Sequence, residues 1–74
     1  MFVIFKNGIR LATLQTFEAA CRMARSDAAA NRGNYYTVWD SVTANRETRS
    51  QHDKPLYKID GTQGGNQYLT RTEL

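Results

Sequence analysis

Most of the residue types that build active sites and cross-links are scarce in this chain. Its single cysteine, Cys21, cannot close an internal disulfide. Small secreted domains normally carry several, so the expected setting is a reducing cytoplasm. The single histidine, His52, sits beside Asp53 in a polar stretch. Side chains adjacent in sequence rarely face each other, so this pair reads as a solvated loop rather than a proton-transfer dyad. One Cys, one His and scattered carboxylates make no zinc or calcium pattern. Gly61, Gly64 and Gly65 precede no credible helix, which leaves no phosphate-cradling loop. No apolar run approaches the roughly 20 residues of a membrane span. The N-terminal MFVIF has neither a basic lead-in nor a small-residue cleavage site, so it does not read as a signal peptide. These absences point away from an enzyme, a cofactor, a metal site and a membrane protein.

Length and charge set further bounds. Seventy-four residues make one domain, and a chain of this size buries only about 60% of its unfolded surface. A substrate cavity would compete with so thin a core. The net charge is +3 and the pI about 9.4. The basic excess lies before Gly33, where five basic residues face two acidic ones. That balance favours acidic partners by long-range attraction, yet it falls short of the dense basic stripe of a dedicated nucleic-acid binder.

The strongest positive signal is FVIFKNGIRLATL, Phe2 to Leu14, in which two apolar runs flank Asn7-Gly8. A two-residue type I′ turn needs positive φ at both central positions, which Asn tolerates and Gly adopts freely. Closing the turn there pairs Lys6 with Ile9, Phe5 with Arg10, Ile4 with Leu11 and Val3 with Ala12. Both faces of the hairpin carry apolar side chains. The set expected to be buried is Phe2, Ile4, Ile9 and Leu11, because Ile4 opposite Leu11 is a branched cross-strand pair. Val3, Phe5, Ala12 and Leu14 fall on the other face, and a one-residue slip would exchange the two.

Thr16 reads as a helix N-cap with Glu18 in the first turn. The helix is expected from Phe17 to about Asn31, stopping at Gly33. Alanine is abundant within it, and Phe17, Ala20, Cys21, Ala24 and Ala28 form one narrow apolar stripe. Cys21 on that stripe reads as a small buried hydrophobe rather than a nucleophile. A third strand, YYTVWD, places Tyr36 and Val38 on one face and Tyr35, Thr37 and Trp39 on the other. It is expected to return beside the first strand, by a right-handed crossover if the two are parallel. The result is a small α+β domain over residues 1–60, a ββαβ unit with a three-stranded sheet of order 2-1-3 and one helix on one face. From Ser41 to Pro55 the chain is polar, with a turn and a short strand around Arg46 to Ser50 as one arrangement. Leu56, Tyr57 and Ile59 form another edge strand or a clip on the core. Residues 61–74 read as a flexible tail.

Two surfaces could carry binding. The back of the helix bears Arg22, Arg25 and Arg32, whose guanidinium groups suit bidentate pairing with carboxylate or phosphate. With Lys6 and Arg10 these arginines make up the charge asymmetry of the chain, against the bland reading of a solvated helix face. The aromatics Tyr35, Tyr36 and Trp39 near Lys6 and Arg10 suit base stacking, against the bland reading of core and edge packing; the aromatic pattern of the RNA-recognition motif is missing. The candidate partner-binding residues are thus Lys6, Arg10, Arg22, Arg25, Arg32 and Tyr35. The outer strand beginning at Ile9 also offers an exposed edge for main-chain pairing.

The layout of a short strand, an Asn-Gly hairpin, a Thr-Phe helix start and a strand ending in VWD looks like that of many small bacteriophage proteins. Over Met1 to Asp40 it resembles, in size, charge and layout, the small RNA-polymerase-binding regulators of lytic Xanthomonas phages. The resemblance implies a monomeric, non-catalytic protein of the host cytoplasm. Such a protein binds bacterial RNA polymerase, suppresses initiation and promotes terminator read-through, with nucleic-acid contact inside the complex as one element. No contact residues carry over from it. The alternatives are a free-standing nucleic-acid-binding module and an inhibitor of a host defence complex of the anti-CRISPR type.

Overall fold

The computed structural model describes residues 1–44, 54–62 and 67–70, the last four by their backbone. Strands β1 (Phe2–Lys6) and β2 (Ile9–Leu14) are followed by α1 (Phe17–Ala30), β3 (Tyr35–Asp40), the single turn α2 (Ser41–Ala44), β4 (Tyr57–Asp60) and β5 (Gln67–Thr70). It is an α+β fold: an open antiparallel sheet in the order β2-β1-β3-β4, with β5 added at the β4 edge, and one main helix on one face. The expected order 2-1-3 holds for the first three strands. The three-stranded sheet is corrected to five by β4 and β5. β3 runs antiparallel to β1 and hence parallel to β2, so α1 crosses from one side of β1 to the other.

The hairpin turn is the one the sequence called for, with φ of 53° at Asn7 and 83° at Gly8. Lys6 pairs with Ile9 and Phe5 with Arg10 as expected, but Ile4 then pairs with Ala12 and Val3 with Thr13. Leu11 is the extra residue of a β-bulge, and the bulge corrects the expected burial. After it the alternation restarts, so Ala12 and Leu14 join Phe2 against the core. Leu11 is left 40% exposed and Ile9 74% exposed, where both were expected inside. Ile9 stands opposite Lys6 at the hairpin end of the edge strand, beyond the cover of α1.

The helix follows its sequence signals. The Thr16 hydroxyl accepts the Ala19 N–H at 3.1 Å, Asn31 is the C-cap, and Gly33 turns the chain at φ 91°. Ala20, Cys21, Ala24 and Ala28 are buried. Their small side chains let α1 lie close on Ile4, Tyr36, Val38, Tyr57 and Ile59 of three strands, which complete the core. Each large side chain buried there stabilises the fold by about 1.5–3 kcal/mol. Phe17, at the exposed end of the stripe, closes the core with its ring 5.7 Å from that of Phe2 and 6.5 Å from that of Tyr57. Tyr36 and Val38 face the helix, as the alternation of β3 requires.

Leu56, Tyr57 and Ile59 were open between an edge strand and a clip. Residues 57–60 form β4, paired with β3 from Val38 opposite Tyr57 to Tyr35 opposite Asp60. Gln67–Thr70, within the stretch expected to be a tail, pairs with β4 from Asp60 opposite Gln67 onward. Few apolar residues were needed there, because an open strand edge recruits backbone. The strand expected around Arg46 to Ser50 lies outside the described residues, as do 63–66 and 71–74.

Candidate docking surface

Lys6 ends β1 on the helix side of the sheet. Its ammonium lies 3.0 Å from Oδ2 of Asp27 and 5.7 Å from the centre of the Tyr36 ring, and the Tyr36 hydroxyl donates to the same Asp27 oxygen. That hydroxyl and then Lys6 hold the Asp27 carboxyl below its usual range. In return Asp27 raises Lys6. Burial first, then Asp27, raises Tyr36. Lys6 therefore ties the last turns of α1 to two strands. Beside it the turn is fastened to β3. The Asn7 side-chain oxygen accepts the Tyr35 N–H at 2.9 Å, and its amide donates to the Asn34 side chain at 2.9 Å.

The helix covers the middle of the sheet and leaves the helix-facing side of β2 partly bare. A hollow of about 520 Å³ opens there, lined by Leu14, Arg22, Met23, Ser26 and Asp27 among others. A second of about 230 Å³ is lined by Lys6, Asn7, Ile9, Arg10 and Leu11. The two hollows border β2 near its two ends, one at Leu14 and the other at Ile9, Arg10 and Leu11, and are together called the β2 furrow; the Lys6–Asp27 pair contributes one residue to each. The apolar floor of the furrow includes Ile9, Leu11 and Met23, all among the exposed large hydrophobics. β2 is an outermost strand of the described sheet.

The opposite, helix-free face carries Phe5, Tyr35, Thr37 and Trp39, as the alternation of β1 and β3 dictates. Trp39 folds across it and donates from Nε1 to Oγ1 of Thr37 at 2.9 Å. Lys58 lies 5.9 Å from the centre of the Tyr35 ring. Burial, then the Asp60 charge, raises the Tyr35 hydroxyl above its ordinary value. These aromatics are half-buried, and Val3 behind them is only 1% exposed; packing accounts for much of this face.

The expected binding residues are thus dispersed. Lys6 and Arg10 meet in one hollow and Arg22 lines the other, with its guanidinium 3.7 Å from Glu18 in a solvent-exposed pair. Arg25 is exposed but does not line the furrow. Arg32 lies past the helix in the connection to β3, and Tyr35 belongs to the far face. The sequence reading missed Ile9, Leu11 and Met23 as surface residues. Met23 stood off the apolar stripe and was the one visible signal.

Comparison with protein-family models, curated proteins and solved structures gives no match. The site must speak through its chemistry. Cys21 is buried, and burial raises its thiol above the ordinary value, which suits a core residue and not a nucleophile. Among the described residues no cluster of three or more His, Cys, Asp or Glu could hold a metal ion. No described helix is long and apolar enough to cross a membrane. His52 lies outside the described residues.

Proposed function

We propose that this chain is a docking protein without chemistry of its own, and that its partner is a large bacterial assembly, with RNA polymerase first among candidates. The observation that carries the docking reading is the β2 furrow, where an outermost strand of the described sheet lies beside the exposed apolar side chains of Ile9, Leu11 and Met23. The polymerase, the suppression of initiation and the terminator read-through come from the resemblance in layout to phage regulators; so does action as a monomer in the host cytoplasm. A defence complex of the host is the same class of target met through the same surface.

A second reading is favoured by one observation, the helix-free face with Phe5, Tyr35 and Trp39 beside Lys58 and Arg10. It is the face on which single-stranded nucleic acid would stack. Binding of the purified protein to RNA polymerase, single-stranded RNA and duplex DNA at two salt concentrations separates the two. The docking reading expects submicromolar binding to polymerase and negligible affinity for free nucleic acid. Binding to nucleic acid alone, with log affinity falling steeply against log salt as counterions are released, would replace it with the second reading.

A further inference from the structure

The geometry points to Asn7 as a self-modification site, closed by the folded hairpin and opened when the turn comes away from β3, whose isoaspartate product does not close the turn again. This stands apart from the docking reading. Of the five asparagines only Asn7 precedes a glycine; Arg, Tyr, Arg and Gln follow Asn31, Asn34, Asn45 and Asn66. Glycine has no Cβ to hinder its own nitrogen. The Gly8 nitrogen attacks Cγ of Asn7, the bond from Cγ to the side-chain nitrogen breaks, and ammonia leaves with the Gly8 amide proton. Water then opens the cyclic imide so formed. Opening at Cγ leaves aspartate at this position. Opening at the main-chain carbonyl of the same residue leaves isoaspartate, with the backbone running through Cβ and Cγ. The net change is one water in and one ammonia out.

The folded turn keeps these atoms apart in two ways. Asn7 and Gly8 have φ of 53° and 83°, the type I′ pattern, in which ψ at the first position is about 30°. The Gly8 nitrogen is then nearly trans to Cβ of Asn7, whereas ring closure needs the two on the same side. The side chain is also tied down. Its oxygen accepts the Tyr35 N–H at 2.9 Å, and its nitrogen donates to Oδ1 of Asn34 at 2.9 Å. The Asn34 amide is held in turn, donating to the Asn31 carbonyl at 2.7 Å. The Asn7 N–H donates to the Tyr35 carbonyl at 2.7 Å. Rotation at Asn7 therefore requires the hairpin end to leave β3. Asn7 is otherwise exposed, so water reaches the imide as soon as it forms. Isoaspartate lengthens the backbone between Lys6 and Ile9, which face each other across a two-residue turn. Aspartate keeps the turn type but sets a carboxylate oxygen against the fixed oxygen of Asn34, where a donor stood. The site thus ties the lifetime of the chain to that of its hairpin.

The test incubates the full chain at neutral pH, in buffer and in enough urea to unfold it. The tryptic peptide Asn7–Arg10 is then followed by chromatography and mass spectrometry, which separate its asparagine, aspartate and isoaspartate forms. Conversion should be about tenfold slower or more in buffer than in urea, because in buffer it waits on local opening. After dilution from urea, the refolded fraction should carry asparagine or aspartate, and isoaspartate should collect in the fraction that stays unfolded. Asn34→Ala removes one tether; with its fold checked by circular dichroism, it should convert faster than the parent in buffer and equally fast in urea. Should that variant unfold, the comparison of the parent in buffer and urea decides alone. Equal rates in buffer and urea, no conversion in urea, refolded chains that carry isoaspartate, or a folded Asn34→Ala no faster than the parent would each overturn the proposal.

Discussion

Asp27 holds a lysine and a tyrosine from two different strands, so its ionisation is coupled to the seating of α1. Its folded-state carboxyl lies below the ordinary 3.8. The folded state therefore binds its proton less readily than the unfolded chain. The resulting stability is fully present above that ordinary value and is lost as pH falls through the lower, folded value. Asp27→Asn keeps an acceptor for Tyr36 but loses the charge opposite Lys6. Its melting temperature should sit below that of the parent near neutral pH, and the gap should close as pH drops below about 3.8. Circular-dichroism melts across that range check this; a constant gap would show that the carboxylate is not linked to folding. The sequence showed Lys6 and Asp27 only as charges. Nothing in residue spacing says that the last residue of β1 meets the eleventh residue of a helix across a crossover, so the structural tie made by Lys6 was not legible in the sequence.

At the scale of elements, the closeness of α1 to the sheet rests on alanine. Ala20, Ala24 and Ala28 are fully buried, and a larger side chain there must lift the helix or displace a strand residue. Ala24→Leu is expected to cost about 1–3 kcal/mol through overpacking, whereas Ala29→Leu, at an exposed position, should stay within about 0.5 kcal/mol. Urea unfolding of the two variants measures the difference, and equal costs would mean that the helix packs loosely. This element was legible because its cap, its stripe and its stopping glycine are local signals. The same holds for the Asn-Gly turn and for the alternation of β3. The bulge at Leu11 was not: it carries no Gly or Pro, and its position depends on how an edge strand twists against its neighbour.

For the molecule as a whole, the basic excess and the uncovered side of the sheet fall in the same half, around β2 and α1. The charge was readable from the sequence, and so was an exposed edge beginning at Ile9. The furrow beside that edge was not, because it depends on the bulge that leaves Leu11 exposed there. The bulge has a consequence for how this protein tolerates changes in length. A strand that faces a core normally cannot lose a residue, since everything beyond the gap would swap inside for outside. In β2 the chain holds one residue more than its partner strand uses. Deleting Leu11 should leave Arg10 opposite Phe5 and Ala12 opposite Ile4, with the core intact and a melting temperature within about 5 °C of the parent. Deleting Thr37 from β3, where no such slack exists, would turn the buried Val38 away from the helix and should leave the chain unfolded. A thermal melt of each deletion decides it. Natural variants that differ in length are then expected to do so at β2, so the surface proposed to meet a partner is also the one whose length is freest to vary.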